Sequence, residues 1–365
     1  MRLTRNAKAA FGAYSDEEAG IVSLAAAREA RQEVSAWPGF GPSPLLDLED
    51  LAAELGIGRL LYKDESQRLG QGSFKVLGGA YAATLKLRAL DRGGPVTLCC
   101  ATDGNHGRSV AFAAKKHGCG CVVFMHAQAP AAKAAAIEAL GARVVRTDGT
   151  YDHSVREAAQ AAQHHGWVLV ADTSEDPQDP TTRHVMQGYG IMALEILDQV
   201  RIAEPPPTHV FLQAGVGGLA AGIAGPFAEH FGKDRPMNII VEPETAAPLF
   251  ASAANGALTA VEGDLITVME MLSAGQASPV AWPVLERRGD AFMTIADADA
   301  IAAKVQLIET EGRRLALDVG LSGVAGLAGL MALAADPALA APLGLTANAR
   351  VLVIGSEGAP PDLRI

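Results

Sequence analysis

Val96-Thr97-Leu98-Cys99-Cys100-Ala101 runs directly into Thr102-Asp103-Gly104-Asn105-His106-Gly107, and this junction decides the fold. The first six residues form a continuous apolar run, as a strand covered on both faces requires. The polar, glycine-bearing turn then opens an alanine-rich helix expected over 106–117. The unit recurs along the chain. Strands are expected at 59–63, 96–101, 121–126, 142–147, 167–171, 208–213, 238–242 and 350–354. Helices are expected at 76–90, 106–117, 130–140, 151–164, 184–200, 217–231, 298–315 and 323–334, after one over 17–33 and a short one over 45–55. Such alternation predicts an α/β fold with mostly parallel sheets.

At 365 residues the chain is long enough for two domains, or for one with a substantial lobe. A net charge of -11 argues against nucleic acid or an anionic membrane as partner. No apolar run reaches the ~18–20 residues of a spanning helix. The basic start, Met1 to Arg5, lacks the apolar segment and cleavage site of a signal peptide, so the cytoplasm is the expected compartment. Cys99, Cys100, Cys119 and Cys121 do not match zinc spacings and read as buried free thiols, with no metal site expected.

Parallel sheets bind ligands beyond the carboxyl ends of their strands, and the chemistry-bearing motifs fall there. Gly72-Ser73-Phe74-Lys75-Val76-Leu77-Gly78-Gly79 sets Lys75 at the mouth of a helix. The positive end of the helix dipole disfavours an ammonium there, which favours the neutral amine that attacks an aldehyde. Gln213-Ala214-Gly215-Val216-Gly217-Gly218-Leu219 lets backbone N–H groups converge on an anion at a helix start. It lacks the lysine and hydroxyl of a nucleotide P-loop and the acidic partner of a dinucleotide site. A monophosphate bearing an aldehyde fits both motifs, and pyridoxal phosphate is that cofactor. In the 102–107 turn, Asn105 is placed to bond a phenolic or carbonyl oxygen, Asp103 is either a base or a helix cap, and His106 is a structural residue. Ser356, in Ile354-Gly355-Ser356-Glu357-Gly358, either meets a pyridine nitrogen or simply makes a turn.

Taken together and in this order, these motifs resemble the fold-type II pyridoxal-phosphate enzymes, the tryptophan synthase β and threonine dehydratase superfamily. Ser73 to Gly79 and Ala101 to Arg108 are closest to the diaminopropionate ammonia-lyase branch. Tyr62 to Ser66, Asp172-Thr173, Met186 to Tyr189, Gln213 to Gly218, Val241 to Pro243, Met271 to Gly275 with Trp282, and Ser356 to Gly358 extend the match over about residues 40 to 360. The resemblance implies two open, twisted, mostly parallel lobes with the cofactor between them. The large lobe would be 1–85 plus 186–365, the small inserted lobe 86–185, and the assembly a homodimer. It makes Lys75 the covalent lysine, with Phe74 and the Gly215-Val216-Gly217-Gly218 cup around the cofactor. Asn105 would meet the 3′-oxygen and Ser356 the ring nitrogen. Asp103 would be the base for the D-substrate and Lys75 for the L-substrate, while Asp172, with Thr102, would hold the substrate.

The implied reaction is α,β-elimination of 2,3-diaminopropionate to pyruvate and ammonia. The alternatives are the same chemistry on a serine, threonine or 3-hydroxyaspartate, or a non-catalytic nucleotide-binding or regulatory protein. Glu175 and Gln178 stand where the family carries aromatics, Ala247 and Ala274 in regions that often hold cysteines, and Ala359 where an aspartate usually follows. A polar, acidic pocket loop at 174–178 would suit a cationic substrate.

Overall fold

In the computed structural model, residues 1–90, 94–102, 104–148, 151–203, 205–308 and 317–359 are described. Among the described residues, eleven strands form two sheets. They are β1 (Arg2–Arg5), β2 (Leu45–Asp47), β3 (Arg59–Asp64), β4 (Thr97–Ala101), β5 (Gly120–His126) and β6 (Arg143–Thr147), then β7 (Val168–Leu169), β8 (His209–Gln213), β9 (Met237–Pro243), β10 (Ala291–Ile295) and β11 (Arg350–Gly355). The larger sheet runs β1-β10-β9-β8-β11-β3-β2 and the smaller β6-β5-β4-β7. Only the edge pairs β1–β10 and β2–β3 are antiparallel. Cys99 and Cys100 face opposite sides of the small sheet and are buried in different clusters, as neighbours on a pleated strand must be. Cys119 is half-buried rather than buried.

All eight expected strands are present; β1, β2 and β10 are additions. The segment read as one helix over 45–55 is β2 followed by a helix at Glu49–Glu54, because Leu45 to Asp47 pair with β3. The helix read over 17–33 is two, Asp16–Ile21 and Leu24–Val34. Ser23 restarts it by accepting the Ala26 N–H at 3.1 Å, so a local cap beats helical periodicity. Helices at Pro248–Asn255 and Trp282–Arg288 were not expected from the sequence. The helix expected over 298–315 spans Asp297–Ile308, and 309–315 lie outside the described residues.

The helix that carries the lysine, Lys75–Arg88, is clamped from two sides. A Cβ on Gly78 would collide with the Tyr189 ring and the Val185 carbonyl, and one on Gly188 would lie 2.7 Å from the Gly78 Cα. The long helix Pro180–Ala203 therefore crosses backbone against backbone. On the adjacent face, a Cβ on Gly79 would collide with Ser109, whose hydroxyl donates to the Lys75 carbonyl at 2.9 Å. The paired glycines thus serve two different neighbours.

Beneath the loop leading to Lys75 lies a charge network buried at every member. Lys63 donates to Glu195 at 2.7 Å, and Arg68 reaches Glu195 at 2.6 Å and Glu65 at 2.7 Å. Two cations and two carboxylates balance, and Ser43 supplies further bonds to both carboxylates. Such a set fixes geometry more than it stabilises, since desolvation offsets much of the attraction. It ties β3 and its loop to the helix Pro180–Ala203.

Gly188→Ala is expected to destabilise the protein by about 1–3 kcal/mol, the usual cost of overpacking. Denaturant unfolding checks this, and a neutral result would mean the two helices do not meet as closely as described.

Candidate active site

Four strand ends deliver the site. The turn after β4 brings Thr102 and Asn105, the loop after β8 brings the glycines, β11 ends beside Ser356, and the connection after β3 leads to Lys75. β9 and β10 lie on one side of β8 while β11 and β3 lie on the other, so the chain reverses its direction of winding between β8 and β11. Ligands of open α/β sheets bind at such a point. A cleft with about 1050 Å³ of empty volume opens there, lined by Phe74, Lys75, Thr102, Asn105, Asp172, Gly215 to Gly218 and Ser356. Every site residue expected from the sequence is on that wall except Asp103, which lies outside the described residues.

Lys75 is the first residue of its helix, and its Nζ donates to Asp172 Oδ2 at 2.7 Å. The expectation that the helix terminus leaves the amine neutral does not hold. Burial disfavours the ammonium, but the Asp172 carboxylate at contact distance outweighs it and the Lys75 pKa is raised. Burial also disfavours the Asp172 carboxylate, yet His106 and Lys75 hold its pKa well below the usual carboxylate range. The ring centres of Phe74 and Tyr189 lie 5.7 Å and 6.0 Å from the lysine nitrogen, so an aromatic wall flanks the ion pair.

Opposite the lysine, Gly217 has φ +100, open to glycine and strained for other residues. A Cβ there would also lie 2.8 Å from Leu285 Cδ1, and one on Gly215 3.3 Å from the Leu272 Cα. The helix Gly218–Phe231 starts without a side-chain cap, which leaves its first N–H groups to an anion. This cradle and the lysine across from it fit pyridoxal phosphate: backbone donors for the phosphate, an amine for the aldehyde.

Thr102 Oγ1 accepts the N–H groups of Gly104 at 2.9 Å and Gly107 at 3.2 Å, so its hydroxyl caps the helix Asn105–His117. His106 is buried with Nε2 2.8 Å from the Val170 carbonyl, consistent with a structural residue. Asn105 Nδ2 donates to Glu357 Oε2. Ser356 is buried, and its carbonyl accepts the Phe74 N–H at 3.1 Å, which fastens the end of β11 to the lysine loop. Glu175 and Gln178 are exposed and do not line the cleft, with Gln178 pairing to Arg183. The expected acidic pocket loop is therefore a solvent-facing one.

Sequence reading placed Tyr189, Gln213 and Met271 in matching stretches without giving them a part in the cleft, and did not single out Ser322. Gln213 ends β8, and its Nε2 donates to the Ile354 and Gly323 carbonyls at 2.7 and 3.0 Å. A glutamine closing an apolar strand just before a glycine loop was the available signal. Nothing local marks Ser322, which arrives by tertiary packing.

A lysine and a glycine cradle facing each other across the switch point of a parallel sheet define an enzyme of the pyridoxal-phosphate class. Residues 36–356 match the family model described as "Pyridoxal-phosphate dependent enzyme". The diaminopropionate ammonia-lyase of Escherichia coli is 36% identical, over 94% of this chain and 91% of that protein. The Salmonella typhimurium enzyme of the same name is 36% identical, over 89% and 87%. The crystal structure of the Escherichia coli diaminopropionate ammonia lyase superposes with a TM-score of 0.90 at 34% identity, covering 99% of this chain and 94% of that one. The chain belongs to the diaminopropionate ammonia-lyase family of pyridoxal-phosphate dependent enzymes.

Replacing Asp172 with asparagine removes the attraction that holds the Lys75 proton and leaves the burial that opposes it. The amine should then deprotonate at lower pH, and cofactor uptake by the apo-protein should accelerate at lower pH than in the parent. Uptake followed by absorbance across pH checks this, and an unmoved profile would show that Asp172 does not govern the charge.

Proposed function

We propose that this protein catalyses the α,β-elimination of 2,3-diaminopropionate to pyruvate and two molecules of ammonia. The observation that carries the substrate is the cleft's charge. Among the described residues it is lined by one lysine, Lys75, paired with Asp172, and by two further carboxylates, Glu270, which pairs with Lys133, and Glu357. A substrate with a second ammonium suits that balance better than one with a hydroxyl at the same carbon. The family membership and the name that the similar enzymes carry support the same reading.

When bound, pyridoxal phosphate supplies an aldehyde for amine exchange and an electron sink for charge developing at the substrate α-carbon. Lys75 would be the amine through which the cofactor is held, and as a neutral amine its Nζ would take the α-proton of the L-isomer. Asp103 would take that of the D-isomer. Asp172 would hold the proton that Nζ has taken, and with Thr102 lies on the substrate side of the cleft. Gly215, Val216, Gly217 and Gly218 would hold the phosphate through their N–H groups, and Phe74, Asn105 and Ser356 would hold the rest of the cofactor. Loss of the β-amine and hydrolysis of the released enamine give pyruvate and the second ammonia.

The two lobes are assigned to 1–85 plus 186–365 and to 86–185. The protein is read as a cytoplasmic homodimer that acts on a small amino acid. Among the described residues no single helix is long and apolar enough to cross a membrane.

Incubation with D- and L-2,3-diaminopropionate should yield two ammonia per pyruvate. A ratio of one, obtained only with a β-hydroxy amino acid, would move the substrate to that class. Lys75→Ala should abolish turnover of both isomers, whereas Asp103→Asn should abolish that of the D-isomer alone. Equal loss on both isomers in the second variant would sink the two-base assignment.

A further inference from the structure

Glu357 follows the residue assigned to the ring nitrogen, yet its own side chain has no part in that assignment. It joins the pieces of the cleft wall. Its carboxylate accepts from Asn105 Nδ2, at the start of the helix leaving the small sheet. It also bonds the Ser322 hydroxyl, which accepts the Met271 N–H at 3.0 Å from the opposite wall. Its backbone is held as firmly: the carbonyl accepts the Gly320 N–H at 3.0 Å, and the residue bridges to Ser73, two positions before Lys75. Gly320 and Gly323 lack a Cβ where Glu357 passes, since one would lie 2.7 Å from its Oε1 and 2.9 Å from its carbonyl oxygen respectively. The fold thus makes room for this carboxylate and fixes it at both backbone and side chain.

An asparagine amide has a donor end and an acceptor end. With Nδ2 held by Glu357, the rotation of the Asn105 side chain is no longer free. We propose that Glu357 is a positioning residue: by fixing the Asn105 amide it sets which end of that amide meets the 3′-oxygen of the bound cofactor, and so tunes the cofactor's affinity and absorption. The inference rests on the assignment of Asn105 to that oxygen. Burial raises the Glu357 pKa, and the Asn105 amide and Lys133 oppose that rise. The part assigned to the side chain is acceptance of the Asn105 hydrogen bond.

The test is a double-mutant cycle read by pyridoxal-phosphate dissociation constant and by the pH dependence of the holo-protein's absorbance maximum. Thermal unfolding of each apo-protein serves as the control for folding. Glu357→Met keeps the bulk and removes the acceptor; it should weaken cofactor binding about tenfold, the scale of one buried hydrogen bond, and shift the absorbance profile. Glu357→Gln keeps an acceptor and should bind within about threefold of the parent. Asn105→Ala should reproduce the Met variant, and the double variant should be no worse than either single one. Additive losses, or a Gln variant as poor as the Met variant, would overturn the proposal. A normal Glu357→Met beside a defective Asn105→Ala would overturn it and leave the Asn105 assignment standing. A normal Asn105→Ala would overturn both.

Discussion

Gly78 and Gly188 let two helices meet backbone against backbone, Gly79 seats a third through Ser109, and everything chemical in the molecule is measured from that contact. Lys75 stands one turn before the crossing. Its position is therefore set by main chain, which has no rotamers to relax into, rather than by the packing of flexible side chains. The helix Pro180–Ala203 that makes the contact also carries Glu195 into the buried charge network and Tyr189 into the cleft. One element thus holds the lysine's helix, anchors the loop before it and supplies an aromatic wall beside its nitrogen. The crossing joins the two sheets as well, because the helix Asn105–His117 that packs on Gly79 leaves the smaller one.

The ion pair of Lys75 with Asp172 shows how such a site is poised. A helix start alone would push a lysine toward the neutral amine. The structure instead couples the ammonium to a carboxylate delivered by a loop after β7, in a setting where burial penalises both charges. Each partner keeps its charge because the other is there. The proton is retained at Nζ until something changes Asp172 or its contact.

Much of this was legible in the sequence, and the reason is physical. Strands buried on both faces leave continuous apolar runs, and turns at their carboxyl ends must be glycine-rich or polar, so 96–107 and 208–219 announce themselves. Short edges do not. β1 is four residues, half of them arginine, and β2 is three residues whose periodicity merges with the helix that follows. The break at Ser23 rests on one hydroxyl. In the cleft, the residues that sequence could name sit on motifs contiguous with Lys75 or with strand ends. Ser322 reaches the wall only because a distant segment folds against it. The neutral-lysine expectation failed for the same reason, since Asp172 is 97 positions from Lys75 in the chain.

The altered stretch at 174–178 bears on substrate less than its composition implies. Glu175 and Gln178 face solvent, and the loop is held by its own contacts, with Asp176 accepting the Gln178 N–H at 2.9 Å and Asp179 the Thr182 N–H at 2.9 Å. The wall opposite the lysine is built instead from 270–274 and Ser322, and Lys133 pins it by donating to Glu270 at 2.5 Å. Lys133 belongs to a helix on the small sheet, and its aliphatic stem lies over Gly104, where a Cβ would approach its Cδ to 3.1 Å. The contact therefore joins the turn that carries Asn105 to the segment facing it across the cleft. Exposed as Glu270 is, the pair adds little stability. Its consequence is geometric, because it fixes the distance between the two sides of the cleft at its mouth.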